Sequence, residues 1–96
     1  MRVLFTPQAR TQFLAALEYI RNDNPSAAVR MRNKAERVLR RLIDFPESGR
    51  RVAEFPELPF REVQVAPYRF FYRQEADTIW VVGVWHAAQL PAAGEA

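Results

Sequence analysis

The sequence predicts an α+β domain: an N-terminal strand, a two-helix hairpin, then a three-stranded antiparallel meander, with the helices on one face of the sheet. Three observations predict it. Apolar residues recur at helical spacing only between Pro7 and Asp44, the period changes to two after Gly49, and prolines or polar clusters mark the boundaries. A chain of 96 residues has room for one core, placed at residues 1–91 with 92–96 as a loose tail.

Arg2 to Phe5 is a short β-type run. Thr6-Pro7 then starts a helix, with Thr as N-cap and Pro where its missing N–H costs nothing. Ala9, Phe13, Ala16, Leu17 and Ile20 form its apolar stripe, and Asn22-Asp23-Asn24 ends it. Asn24-Pro25 repeats the start signal for a second helix, which reaches about Asp44. Its apolar set is Ala28, Met31, Ala35, Val38, Leu39, Leu42 and Ile43, and Phe45-Pro46 closes it. So short a turn makes the two helices neighbours. Beyond Gly49, Arg51 to Phe55 is a weak strand candidate, and Pro56 and Pro59 bracket a loop or an edge. Arg61 to Val65 alternates, Ala66-Pro67 breaks the pattern, and Tyr68 to Arg73 is a strongly β-prone run. Gln74 to Asp77 is a hairpin turn, and Thr78 to Trp85 is the most hydrophobic stretch. The first strand is expected to join the meander in one sheet.

The last strand is apolar on both parities: Trp80, Val82 and Val84 on one, Ile79, Val81 and Trp85 on the other. Tyr68, Phe70 and Tyr72 alternate with Arg69, Phe71 and Arg73. Two helices cover one face of a sheet. The second face then requires the tail, a second copy or another protein, and a bare aromatic patch on a soluble chain marks a binding surface.

Composition excludes several classes. An apolar fraction of 49% argues against intrinsic disorder. No cysteine means no disulfide framework, zinc ribbon or thiol nucleophile. No long apolar run spans a membrane, and the N-terminus lacks a secretory pattern, so a cytoplasmic protein is expected. The single histidine cannot build a multi-histidine metal site, and no glycine-rich phosphate loop exists; neither metal nor cofactor is expected. Residues 1–51 carry 11 basic and 5 acidic groups, and residues 52–96 carry 3 and 6, so positive charge gathers on the first half. Such a half suits nucleic acid or an acidic protein partner.

Three basic features carry candidate chemistry. Arg30, Lys34, Arg37 and Arg41 fall at i, i+4, i+7 and i+11 of the second helix, within about 60° of one another. This stripe flanks the apolar face and reads either as a solvated face or as a contact surface for an acidic segment. On the strands, Arg61 shares a face with Val63 and Val65, and Arg69 and Arg73 share one with Phe71. Neighbouring strands can bring Arg61 beside Arg69 or Arg73 among aromatic rings, a setting for RNA or an anionic peptide. The alternative is ion pairing with Glu62, Glu75 or Asp77. His86, next to Trp85, is either a general acid–base or a hydrogen-bonded structural residue.

The string Phe60-Arg61-Glu62-Val63-Gln64-Val65-Ala66-Pro67-Tyr68-Arg69-Phe70-Phe71-Tyr72-Arg73, followed by Asp77-Thr78-Ile79-Trp80-Val81-Val82-Gly83-Val84-Trp85-His86, resembles the RelE/ParE toxin superfamily. Phe45-Pro46-Glu47-Ser48-Gly49-Arg50 and Phe5-Thr6-Pro7-Gln8-Ala9 are similar to it as well, so the likeness covers roughly residues 3–91. The resemblance implies a type II toxin bound in a hetero-oligomer by a cognate, ParD-like antitoxin whose acidic C-terminal segment wraps it. It implies one of two targets. ParE-like members poison DNA gyrase; RelE-like members cut mRNA on the ribosome with basic residues and often a C-terminal tyrosine or histidine. Arg69 matches a strand arginine of both branches, and His86 a position common in ParE-like chains. The RelE-like lysines before the meander are missing, with only Arg50 and Arg51 nearby, and no tyrosine follows Tyr72. In-line cleavage must activate a 2′-OH, stabilise a phosphorane and protonate a leaving oxygen. Arginines hold their protons and serve only the second need. The ParE-like branch is therefore favoured, although Gln89 stands where many such chains have arginine. The ribonuclease alternative would rest on Arg61, Arg69 and His86. For antitoxin or target binding the expected residues are Arg30, Lys34, Arg37, Arg41, Arg69, Tyr68, Phe70, Tyr72, Trp80 and Trp85.

Overall fold

A computed structural model describes residues 1–89 of the chain, so the expected tail at 92–96 lies outside the described residues. The elements run β1 (Arg2–Phe5), α1 (Pro7–Asp23), α2 (Pro25–Asp44), β2 (Arg50–Arg51), β3 (Arg61–Val65), β4 (Tyr68–Glu75) and β5 (Thr78–His86). Both helices start where local chemistry directs. Thr6 Oγ1 accepts the Ala9 N–H at 3.2 Å, and Asn24 Oδ1 accepts the Ala27 N–H at 3.1 Å. Asn24 also donates its own N–H to the Ile20 carbonyl at 2.8 Å. One residue thus ends α1 and caps α2, and the hairpin is tighter than the polar cluster suggests.

The sheet has five strands in the order β1-β5-β4-β3-β2. β3, β4 and β5 form the expected meander. β1 joins it parallel to β5, and the Thr6 N–H continues the contact to the Val81 carbonyl at 3.0 Å. Helix α1 lies against β5, and α2 reaches β3. The core between the layers gathers Ala9, Ala16, Met31, Ala35, Leu39 and Leu42 from the helices. Val65, Phe70, Tyr72, Ile79, Val81 and Val84 face them from the sheet. Phe13, partly buried, packs against this core, stacked on Phe5 at 5.5 Å and edge-on to Phe70 at 5.4 Å.

The parity of β5 is not continuous. Phe71 pairs with Gly83 but Tyr72 pairs with Val81, so Val82 is an extra residue. This bulge puts Ile79, Val81 and Val84 on the helix-facing side together, and leaves Trp80 and Trp85 on the other. Unbroken alternation from the sequence separates Val84 from Ile79 and Val81; the bulge reunites them.

The second face also differs from expectation. Of the weak 51–55 strand candidate only Arg51 pairs with β3, together with Arg50 just before it. Val52 to Phe60 instead folds back across the second face in two turns, Phe55 N–H to Val52 O at 3.1 Å and Leu58 N–H to Phe55 O at 3.0 Å. The Arg51 guanidinium donates to the Pro56 and Leu58 carbonyls at 3.2 and 3.0 Å and pins the loop. Beneath it Val52, Phe71, Glu62 and Arg69 are buried. The chain thus supplies part of the cover that the sequence reading assigned to a tail, a copy or a partner. An apolar groove of 310 Å³ stays open between Phe55, Leu58, Phe60, Phe71, Val82 and Trp85.

Candidate functional site

The buried charge lies on the second face. Arg69 leaves β4 away from the helices and is only 7% exposed. Its Nη1 and Nη2 donate to both carboxylate oxygens of Glu54 at 2.9 Å, and its Nε donates to Glu62 Oε1 at 2.9 Å. Nη2 also bonds Glu62 Oε2. The Phe71 ring lies 5.1 Å from the guanidinium carbon. Arg50 adds a longer contact to Glu62 at 3.3 Å. Hydrogen bonds from Arg69 hold the Glu54 carboxyl down at about 2, against its own desolvation. Burial alone would raise Glu62, but the hydrogen bonds and charge of Arg69, with Arg50 behind, bring it below the ordinary range. The same two carboxylates push the Arg69 guanidinium upward, so it stays charged at any pH the fold survives. Two anions therefore occupy the donors that an incoming phosphate or carboxylate would need.

Arg61 belongs to the opposite face. It pairs with Tyr72 on the helix-facing side, where its Nη1 donates to the Gly49 carbonyl at 2.9 Å. Tyr72 donates to the Pro46 carbonyl at 2.8 Å and accepts the Gly49 N–H at 2.9 Å. This network ties the exit of α2 to the sheet. Gly49 is required there, because a Cβ would fall 2.5 Å from the Tyr72 hydroxyl and 2.7 Å from the Glu62 carbonyl oxygen. Arg61 and Arg69 are not brought together, and Arg73 pairs with Glu75 at 3.1 Å. The ion-pair alternative from the sequence describes Arg69 and Arg73.

His86 ends β5 opposite Tyr68. Their rings meet edge-on at 5.4 Å, and His86 Nδ1 accepts the Ala88 N–H at 3.1 Å. They share an open hollow of 880 Å³ with Gln12, Tyr19, Trp85 and Gln89. Burial, with Tyr19 nearby, raises the Tyr68 phenol above its ordinary value. Phe70 and Tyr72, expected at a partner surface, are 0% and 1% exposed beneath the helices and present no surface. The register places them on the helix-facing parity, which sequence alternation alone does not orient. Trp80 and Trp85 are half-buried.

The stripe does assemble. Arg30, Lys34 and Arg37 line a hollow of 580 Å³ against Val65, Ala66 and Pro67, with Ile20 and Met31 in its floor. Arg41 and Val38 line the next hollow, 390 Å³, against Ser48, Gly49, Glu62, Val63 and Gln64. None of the four cations is in an ion pair among the described residues. Sequence reasoning missed Glu54 and the loop that carries it. The available signal was its content, since Val52, Phe55, Leu58 and Phe60 are too apolar for a solvated connection. Among the described residues no group of three His, Cys, Asp or Glu side chains could hold a metal, and no helix is long and apolar enough to cross a membrane.

A helical hairpin packs on one face of a small mixed sheet, and a buried strand arginine lies on the other, which defines a small α+β class of fold. The profile of one family, described as the ParE toxin of the type II toxin-antitoxin system parDE, matches residues 3–91, and the chain belongs to it. A solved chain of the chromosomal ParDE TA system from P. aeruginosa superposes with a TM-score of 0.73 at 14% identity. The match covers 90% of this chain and 95% of that one, and it shows the shared fold. No curated protein matches the sequence.

Proposed function

We propose that this ParE-family toxin acts by binding: it stabilises the cleaved complex of DNA gyrase with DNA, and a cognate ParD-like antitoxin holds it inactive. The placement of Arg69 carries this reading. A ribonuclease needs cations free to receive a phosphorane and groups that move protons beside them. Here the strand arginine is engaged by Glu54 and Glu62. Arg61 lies on the other face, and its register position across β4 is four residues from that of His86, about 13 Å along the strand. The three residues of the ribonuclease alternative therefore do not surround one scissile bond. The helix stripe, Trp80 and Trp85 remain open to protein partners.

Purified chain is incubated with gyrase and supercoiled plasmid. The expected result is accumulation of linear DNA after detergent and protease treatment, abolished by equimolar antitoxin. Unchanged supercoiling without cleaved product overturns the reading. Cleavage of translated mRNA that disappears in His86→Ala would replace it with ribosome-dependent hydrolysis.

A further inference from the structure

We infer that Gln12 is a positioning residue for target engagement: its bond to the Val84 N–H fixes the end of β5 and, through it, the aim of Trp85. This rests on the gyrase reading and adds to it a residue outside both the helix stripe and the strand arginines. Two features of β5 carry the inference.

The first is a strand whose neighbour ends early. β1 pairs with β5 only from Thr78 to Val81, and the Thr6 N–H closes that ladder on the Val81 carbonyl at 3.0 Å. The chain then turns into α1 at Pro7. Val82 is bulged, and β5 runs on to His86 with β4 on one side and no strand on the other among the described residues. On that open side Gln12 Oε1 accepts the Val84 N–H at 2.8 Å. A helix side chain 72 residues away in sequence thus takes the place of the missing strand partner. Without it, the donor is left to water or to an added strand.

The second is what flanks Val84. Trp85 lies along Gly83, where a Cβ would stand 3.2 Å from the indole Nε1 and 3.4 Å from its Cδ1. The indole uses the space that glycine leaves, so its place depends on the backbone path from Gly83 to Trp85, with Val84 in the middle. Trp85 is also the one residue that lines both the 880 Å³ hollow beside α1 and the 310 Å³ groove on the second face. Half-buried between two concavities, it has the position of an interface anchor, a role tryptophan fills more than most residues. Among the described residues, the lining of the larger hollow holds no lysine, arginine, aspartate or glutamate, and it gathers Tyr19, Tyr68 and His86 around Trp85. Few charges and many rings are the composition of an interface core. An anchor held in place before contact costs less to bind than one ordered on contact. The Gln12 bond supplies that order from a helix already packed on β5.

The experiment reads three quantities. They are Val84 amide exchange by nuclear magnetic resonance, the nuclear Overhauser contact between the Trp85 indole and Gly83, and the chain concentration that gives half-maximal cleaved plasmid with gyrase. Gln12→Leu nearly keeps the side-chain volume and removes the acceptor. Gln12→Glu keeps an acceptor. Gln8→Leu makes the same change one turn earlier, at an exposed position outside the lining of the hollow. Gln12→Ala repeats the loss of the acceptor in case Leu disturbs the packing, and melting curves confirm that each variant is folded. In Gln12→Leu the Val84 amide should exchange about tenfold faster, the indole contact should weaken, and about tenfold more chain should be needed for cleavage. Gln12→Glu should recover all three, and Gln8→Leu should stay within about threefold of the parent. Unchanged exchange at Val84 overturns the proposal. Faster exchange with unchanged plasmid cleavage makes Gln12 a structural residue only, which overturns the positioning role and leaves the gyrase reading standing. Equal loss of cleavage in Gln8→Leu assigns the effect to the helix surface and overturns it as well. Restored exchange without restored cleavage in Gln12→Glu shows that Gln12 touches the target itself, and overturns action through Trp85. Absence of cleaved product from the parent chain removes the gyrase reading and this proposal together.

Discussion

Arg69 is the residue on which two accounts of this protein diverge. In the sequence it is a strand arginine among aromatic rings, positioned like a group that meets phosphate. In the structure it is a clamp, bidentate to Glu54 and bonded twice to Glu62. Removing one partner of a buried pair leaves the other charge uncompensated, which costs about 3–5 kcal/mol. Glu62 is 1% exposed and retains only the 3.3 Å contact to Arg50 once Arg69 is gone. Arg69→Ala should therefore lower unfolding free energy by about 3 kcal/mol or more in a urea titration, much of the stability of a small domain. Replacing Arg69 and Glu62 together with Met and Leu should recover part of that loss, because the fully buried carboxylate goes with its cation and the carboxylate left unpaired, Glu54, is 29% exposed and reaches water. If Arg69→Ala melts like the parent, the clamp is not structural. A loss of toxicity in the single variant would then implicate a direct contact.

At the scale of elements, the local signals and the distant ones separate cleanly. Both helices, β1 and β3 were legible to within a residue or two, because caps, prolines and apolar spacing are written within four residues of each boundary. The bulge at Val82 was not. It depends on where Phe71 and Tyr72 lie in the neighbouring strand, paired with residues about nine to twelve positions on. The 52–60 loop was missed for the same reason: its anchor, Glu54, finds Arg69 fifteen residues on. Of the expected site, the helix stripe survives as a surface because helical spacing alone fixes it. The strand set does not, since register decides which face each arginine takes.

That anchor also gives the loop a pH signature. The folded-state pKa of Glu54 is lowered from 4.5 to about 2, so its stabilising contribution is complete above 4.5 and is lost as pH falls toward 2. The Glu54 side chain is 29% exposed, so solvent screening limits the contribution to about 1–2 kcal/mol. Glu54→Gln should lower stability at pH 7 by that amount and have little effect at pH 2.5, measured by urea titration at both values. Equal destabilisation at the two pH values would mean that Glu54 acts through packing and not through its charge.

The whole molecule is closed by its first residues. β1 covers the outer edge of β5, with Arg2 opposite Thr78, so the first and last described strands meet in one ladder. Phe5 stacks on Phe13, and Val3 packs on the core from the same strand. Without β1 the most apolar strand, β5, becomes an edge, and exposed apolar edges pair with other chains. The loss can be sized. Two apolar side chains contribute about 3 kcal/mol when part-buried, and several ladder hydrogen bonds add about 1 kcal/mol each. The sum is comparable to the total stability of a domain this small, of order 5–15 kcal/mol. A chain beginning at Thr6 should therefore lose its cooperative thermal transition and associate as its concentration rises, followed by circular dichroism and light scattering. The single variant Phe5→Ala should stay folded and monomeric but melt lower by more than about 10 °C, since each kcal/mol moves a domain of this size by about 4–8 °C. A truncated chain that stays monomeric and melts sharply near the parent temperature would show that β5 does not depend on its parallel neighbour.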